Sequence, residues 1–193
     1  MVTDTHLQSI EHVAHGAHTQ VVDRFAAYGL IFDNTYDYLF SVDVKLEAVA
    51  GVLTGGPVEP LPNLTRCGER LAGVLEWMDT TPFIYYEAYD LAVRQRFSIA
   101  HELGHFYLHV KQHAHCHCTH VSIDPQSSDG AVLVTAPGIE READSFAAAL
   151  LMPQDLLRGH VTRFGRCVAF LAARYRVSQP AMRRRLRQLG LEG

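Results

Sequence analysis

Cysteine is scarce in this chain: Cys67, Cys116, Cys118 and Cys167 are the only four in 193 residues. So few, at such irregular spacing, exclude the dense framework of a small disulfide-stapled fold and point to a reducing, cytosolic compartment. Long apolar runs are missing too. No segment approaches the roughly 18 uninterrupted apolar residues that a membrane-spanning helix needs. The first residues (Met1, Asp4, His6, Glu11) hold neither a basic start nor an apolar stretch, so no signal peptide is expected. Without secretion, the glycosylation-type triplet Asn63-Leu64-Thr65 has no meaning. Internal repeats are absent. What remains is a chain that is 48% apolar, enough for one core, with a length that fits one domain and an appendage.

Charge is unevenly spread. Residues 1–157 hold 20 acids against 8 Lys/Arg, whereas residues 158–193 hold 9 Arg against Glu192 alone. A basic C-terminal end on an acidic body hints at nucleic acid or an acidic partner surface.

The chain is rich in histidine, with 12. One pentapeptide concentrates the chemistry: His101-Glu102-Leu103-Gly104-His105. Two histidines four apart share one face of a helix, where their ring nitrogens can grip one zinc ion. The glutamate between them then serves as general base. Composition alone produces this pattern in roughly one shuffled chain in thirty, so context has to carry the assignment. On a helical wheel the apolar residues Phe97, Ile99, Leu103, Phe106, Tyr107 and Val110 lie opposite the two histidines. The histidines are therefore expected to face a cleft. Gly104 lies on the flank, where its cost of about 1 kcal/mol in a helix suggests a close neighbour.

Catalytic zinc takes three protein ligands and leaves a position for water. A third histidine six residues after the second is one solution, but that position is Lys111. The other is a glutamate on a later helix. Residues 139–152 read as that helix, stopped by Pro153. Of its acids Glu140, Glu142 and Asp144, Glu142 is read at the edge of the apolar stripe and the other two on the polar side. Glu142 is therefore the expected ligand. The alternative for it is an ion pair with Arg94 or Arg96.

At this point three stretches resemble one family. Residues 96–105, ending at Leu108-His109, look like the active-site helix of the ImmA/IrrE metallopeptidases. Glu142-Ala143-Asp144-Ser145-Phe146-Ala147-Ala148, followed by Leu150-Leu151-Met152-Pro153, is similar to the family's second motif. Leu171-Ala172, Tyr175, Val177-Ser178, Ala181-Met182, Arg185-Leu186 and Leu189-Gly190 form a third. The resemblance covers roughly residues 41–190. It implies one Zn2+ per chain on His101, His105 and Glu142, with Glu102 as catalytic acid/base. It also implies an α+β fold: a small gluzincin-like core with a short mixed or antiparallel sheet, an active-site helix, a glutamate helix and a helical C-terminal region. Members of the family include peptidases that cleave a cognate helix-turn-helix repressor. Others pair with such regulators in toxin–antitoxin-like or stress-response operons.

Three segments are expected: an N-terminal helical extension (1–40), a metallopeptidase core (41–157) and a basic helical region (158–193). Within them the pattern predicts a helix over 5–28 and an irregular aromatic stretch over 34–40. Asp43 is expected to cap a helix carrying Leu46, Val49, Ala50 and Leu53, ended by Gly55-Gly56. Residues 57–62 read as a loop or short edge strand. Strands follow over 70–78 and 83–87, joined by Asp79-Thr80-Thr81-Pro82. The catalytic helix spans 93–110. A long loop with one candidate strand (131–135) comes next, then two or three helices.

Several residues invite further roles. Tyr85, Tyr86 and His109 are candidates to steady an oxyanion or contact substrate. The strand 83–87 is a candidate to pair with an extended substrate; as an ordinary core strand it would turn Phe83 and Tyr85 inward. The run His113, His115, Cys116, His117, Cys118 and His120 is a candidate auxiliary or inhibitory metal site, or a plain polar loop. Residues 164–189 resemble a helix-turn-helix in which Arg183, Arg184, Arg185 and Arg187 could meet phosphates, or else two helices bracing the core. The function expected is a zinc endopeptidase acting on a specific protein, a repressor in the first instance. The alternatives are a partner-binding toxin or regulator subunit with little proteolysis, and a DNA-binding regulator.

Overall fold

A long amphipathic helix opens the structure, a computed structural model that describes residues 4–66, 68–110 and 137–192. In α1 (Asp4–Ala27) the residues Ile10, Ala14, Ala17, Val21 and Phe25 recur at helical spacing and are all buried. A short 3-10 turn (Asp37–Leu39) buries Tyr38 and Leu39, and leads to α2 (Leu46–Thr54). Asp43 does not cap α2. The cap position is Lys45, two residues further on, and it makes no side-chain cap bond. The helix ends at Gly55 in the left-handed region (φ 81°), as Gly55-Gly56 predicts. Gly56 has a steric reason as well: a Cβ there would overlap the Pro82 carbonyl oxygen.

The strands are β1 (Val58–Leu61), β2 (Thr65–Arg66), β3 (Glu69–Arg70), β4 (Gly73–Met78) and β5 (Thr81–Glu87). β2 and β3 form a small hairpin that the pattern did not reveal. The other three make one mixed sheet in the order β1-β5-β4. β5 runs parallel to β1 and antiparallel to β4, with Gly73 opposite Tyr86 and Met78 opposite Thr81. Two expectations for 83–87 are thereby corrected. Both edges of β5 are already paired, so an incoming chain cannot add to it; the outer edge left among the described residues at this side belongs to β4. Ile84 and Tyr86 face the core, while Phe83 and Tyr85 stack on each other on the opposite face, 6.1 Å between centroids. Glu87 ends the strand fully buried. Its carboxylate accepts the N–H groups of Tyr89, Leu64 and Asn63, which hold it below the usual carboxylate range.

α3 (Ala92–His105) continues into one π-helical turn (Phe106–Val110), then come α4 (Pro137–Leu151), α5 (Gln154–Phe164), α6 (Val168–Tyr175) and α7 (Gln179–Gln188). The architecture is α+β, with seven α-helices among the described residues. α4 sits between α3 along one edge and α1 along the other. The segment holding His113 to His120 and the candidate strand 131–135 lie outside the described residues.

The C-terminal helices match the expected helix, turn, helix. Arg176 takes the left-handed conformation that ends α6, and Ser178 caps α7 through the Ala181 N–H at 3.2 Å. Arg185, however, is not a surface cation. Its side chain is fully buried, bound to both carboxylate oxygens of Glu11 and, at 3.0 Å, to the Met152 carbonyl. It ties α7 to α1 and to the end of α4. Breaking such a pair from the carboxylate side strands a buried guanidinium. Glu11→Ala is therefore expected to cost about 3–5 kcal/mol, more than Arg185→Met, which removes the charge along with its partner's role. Denaturant melts of both variants check this; equal stability of the Glu11→Ala variant and the unsubstituted protein refutes it.

Candidate metal centre

The site forms where α3 and α4 pack closely against each other. Gly104 makes that approach possible: a Cβ on it would lie 2.8 Å from the Ala143 Cα and 3.0 Å from the Ala143 carbonyl oxygen. With the helices so close, the histidine face is not open to a broad cleft. His101 is 8% exposed, His105 2% and Glu102 2%. Residues 98–105 are buried all round, since α3 packs on the sheet and α2 on one side and on α4 on the other.

The ring nitrogens are arranged for a cation. His101 Nδ1 lies 3.0 Å from Asp144 Oδ1. A carboxylate only accepts, so Nδ1 carries the proton, and in the neutral ring the Nε2 lone pair points inward. A longer chain does the same for His105. His109 Nε2 donates to Glu142 Oε2 at 3.1 Å, and His109 Nδ1 meets His105 Nδ1 at 3.1 Å. Glu142 thus sets the His109 tautomer. The Nδ1 of neutral His109 then accepts a hydrogen bond from the His105 Nδ1–H, which turns the His105 Nε2 lone pair inward. Glu142 Oε1 also meets His6 Nε2 of α1 at 3.0 Å.

The two Nε2 atoms face each other at 3.0 Å. Glu140 stands beside them, 3.2 Å from His101 Nε2 and 3.6 Å from His105 Nε2. His101, His105 and Glu140 each offer one ligand atom, all within 4.8 Å of one another. Two imidazole lone pairs and a carboxylate converging on one point fit a divalent cation such as zinc. The electrostatics agree. Burial lowers the pKa of His101, but the bonds to Asp144 and Glu140, with the Glu102 charge, outweigh it and hold the ring at about 10, so at neutral pH a metal would take the place of the proton on Nε2. The pocket is built to stabilise positive charge.

The structure therefore places Glu140, not Glu142, at the imidazole pair. Glu142 is one shell out, and it pairs with histidines rather than with Arg94 or Arg96. Both glutamates flank the apolar stripe of α4. Glu142 lies on the edge toward α1 and His6, Glu140 on the edge toward α3. The wheel reading took Glu140 for the polar side, although it lies only about 20° beyond Ala147. The i, i+4 spacing of Glu140 and Asp144 was the available signal: it aims one carboxylate at the front of His101 and the other at its back.

Glu102 lines a cavity of about 370 Å³ together with His101, Ser98 and Gly73. Gly73, the first residue of edge strand β4, is so near that a Cβ there would lie 3.0 Å from Glu102 Oε1. The other candidates fall elsewhere. Tyr86 donates its hydroxyl to Glu47 of α2 at 3.0 Å, and Tyr85 is on the far face of the sheet. His109 serves behind His105, not in front of it.

No curated protein matches the chain. A family model described as the IrrE N-terminal-like domain, Peptidase M78, matches residues 68–187, which contain His101, Glu102, His105, His109, Glu140, Glu142 and Asp144, and the chain belongs to that family.

Proposed function

We propose that the protein is a zinc-dependent endopeptidase that cleaves a specific protein, a helix-turn-helix repressor or regulator being the first choice. Membership of the Peptidase M78 family supports a metallopeptidase function in general. The observation that carries the finer reading is the convergence of His101, His105 and Glu140 with Glu102 alongside. His101, His105 and Glu140 would hold the zinc. Zinc so held lowers the pKa of water toward neutrality and polarises a carbonyl. Asp144 fixes the His101 ring, and the His109–Glu142 pair fixes the His105 ring. A substrate strand added to the outer edge of β4 would bring its peptide bond past Gly73 to Glu102. The Glu102 carboxylate takes the proton of the attacking water. It then delivers a proton to the departing amine nitrogen as the C–N bond breaks.

No helix among the described residues is long and apolar enough to cross a membrane; a cytoplasmic site of action belongs to this proposal. The direct test is cleavage of an unfolded protein substrate by the zinc-loaded chain. Chelation is expected to stop cleavage, and added zinc to restore it. Cleavage that survives complete removal of metal sinks the proposal. An inert but zinc-replete protein that still binds a partner repressor favours the regulator-subunit alternative instead.

A further inference from the structure

Beside the metal centre lies a larger hollow, of about 570 Å³, between α4 and α7. Its walls carry Arg141 from α4 and Arg184 and Arg187 from α7; its floor is apolar, with Phe97, Ala148 and Ala181. Among the described residues Asp144 is the only acid lining it, and that carboxylate is already engaged by His101 and, at 3.4 Å, by Arg184. Phe97 lines this hollow and also the smaller cavity that holds His101 and Glu102. The two are therefore neighbours, with Phe97 on the border of both. On the far side the smaller cavity is flanked by Arg70 and Arg94, whose side chains are about two-thirds exposed.

We propose that the hollow between α4 and α7 is a substrate-docking groove for a protein segment bearing Asp or Glu side chains, read by Arg141, Arg184 and Arg187. The inference rests on the peptidase reading and adds the substrate's chemistry to it. Cations collect at this groove although the chain as a whole is acidic, at net −4. A concave surface lined mainly by one sign of charge focuses its field, draws in the opposite charge and rejects the same charge. The guanidinium groups at the rim are largely exposed, Arg184 at 68% and Arg187 at 70%, and Arg187 also meets the exposed carboxylate of Glu192 at 3.2 Å, a surface pair that a substrate carboxylate can replace. The recessed apolar floor suits side chains of an extended segment. Duplex DNA is the poorer fit, because its reading needs an element that protrudes into a groove, and Arg185, at the centre of the basic helix, is buried against Glu11.

The test uses the zinc-loaded Glu102→Gln variant, so that binding is read without cleavage. Its probes are a fluorescein-labelled Ala/Glu decapeptide, the matching Ala/Gln and Ala/Lys peptides, and a labelled DNA duplex. The acidic peptide is expected to bind about tenfold more tightly than the Gln peptide at low salt, with the advantage shrinking as salt rises. The double substitution Arg141→Glu/Arg187→Glu should erase that preference. The same charge change placed outside the groove, Arg163→Glu/Arg166→Glu, should leave most of it. Equal affinity for the acidic and Gln peptides, equal losses in the two double variants, or a duplex that outcompetes the acidic peptide would each overturn the groove. Failure of the peptidase reading looks different. There the unsubstituted protein cleaves no protein although zinc is bound, while the binding pattern persists.

Discussion

Glu102→Gln is expected to lower peptide hydrolysis by about 10²–10⁴-fold, with zinc content unchanged. Glutamine keeps the shape of the side chain and its packing beside Gly73, but at neutral pH its amide cannot take a proton. None of the three ligand atoms is altered. Because Glu102 is 2% exposed, a change of shape would disturb the cavity, which is why Gln and not Ala is the informative substitution. Zinc per chain, thermal stability and turnover should be measured on one preparation. Hydrolysis near the unsubstituted rate removes Glu102 from the mechanism. A loss of zinc in parallel with activity would show instead that the carboxylate supports the metal. The size of the effect separates roles as well. A residue that only shapes the cavity should alter KM, whereas a proton carrier acts on kcat.

The parts of this molecule written in local periodicity were legible. The stripe of α1 and the apolar set of α2 with its glycine stop follow from spacing three and four and from end signals. What stayed hidden depends on partners distant in sequence. The stretch 83–86 is apolar or aromatic at successive positions, so alternation could not say which face is inward. Only pairing with β1, more than 20 residues upstream, makes β5 central. The burial of Arg185 has the same origin. Its neighbours in sequence read as a basic face, and the carboxylate that neutralises it lies at position 11. At the site, His101, Glu102 and His105 were legible because one helical turn holds all three. Which glutamate stands at the imidazole pair was not, because two glutamates of one helix flank the same stripe, and what separates them is whether α1 or α3 packs on that side.

That ambiguity yields the sharpest expectation. Glu140→Ala is expected to strip the metal, and Glu142→Ala to weaken it without abolishing the site. Glu140 reaches both Nε2 atoms, so its loss leaves two imidazoles to hold the cation. Glu142 reaches His105 only through His109. Its removal frees the His109 tautomer, and with it the direction of the His105 proton, while all three ligand atoms remain. Outer partners of this kind typically contribute about 10–100-fold in metal affinity, and a lost ligand costs more. Competition against a fluorescent zinc chelator reads both affinities directly, with no need for turnover. His109→Ala should match Glu142→Ala, because both break the same chain, and combining the two should add little. The reverse order, zinc lost from the Glu142→Ala variant and kept by the Glu140→Ala variant, would return the ligand role to Glu142. It would also mean that the metal-bound state draws α4 into a different register against α3, past the Gly104–Ala143 contact that now sets their spacing.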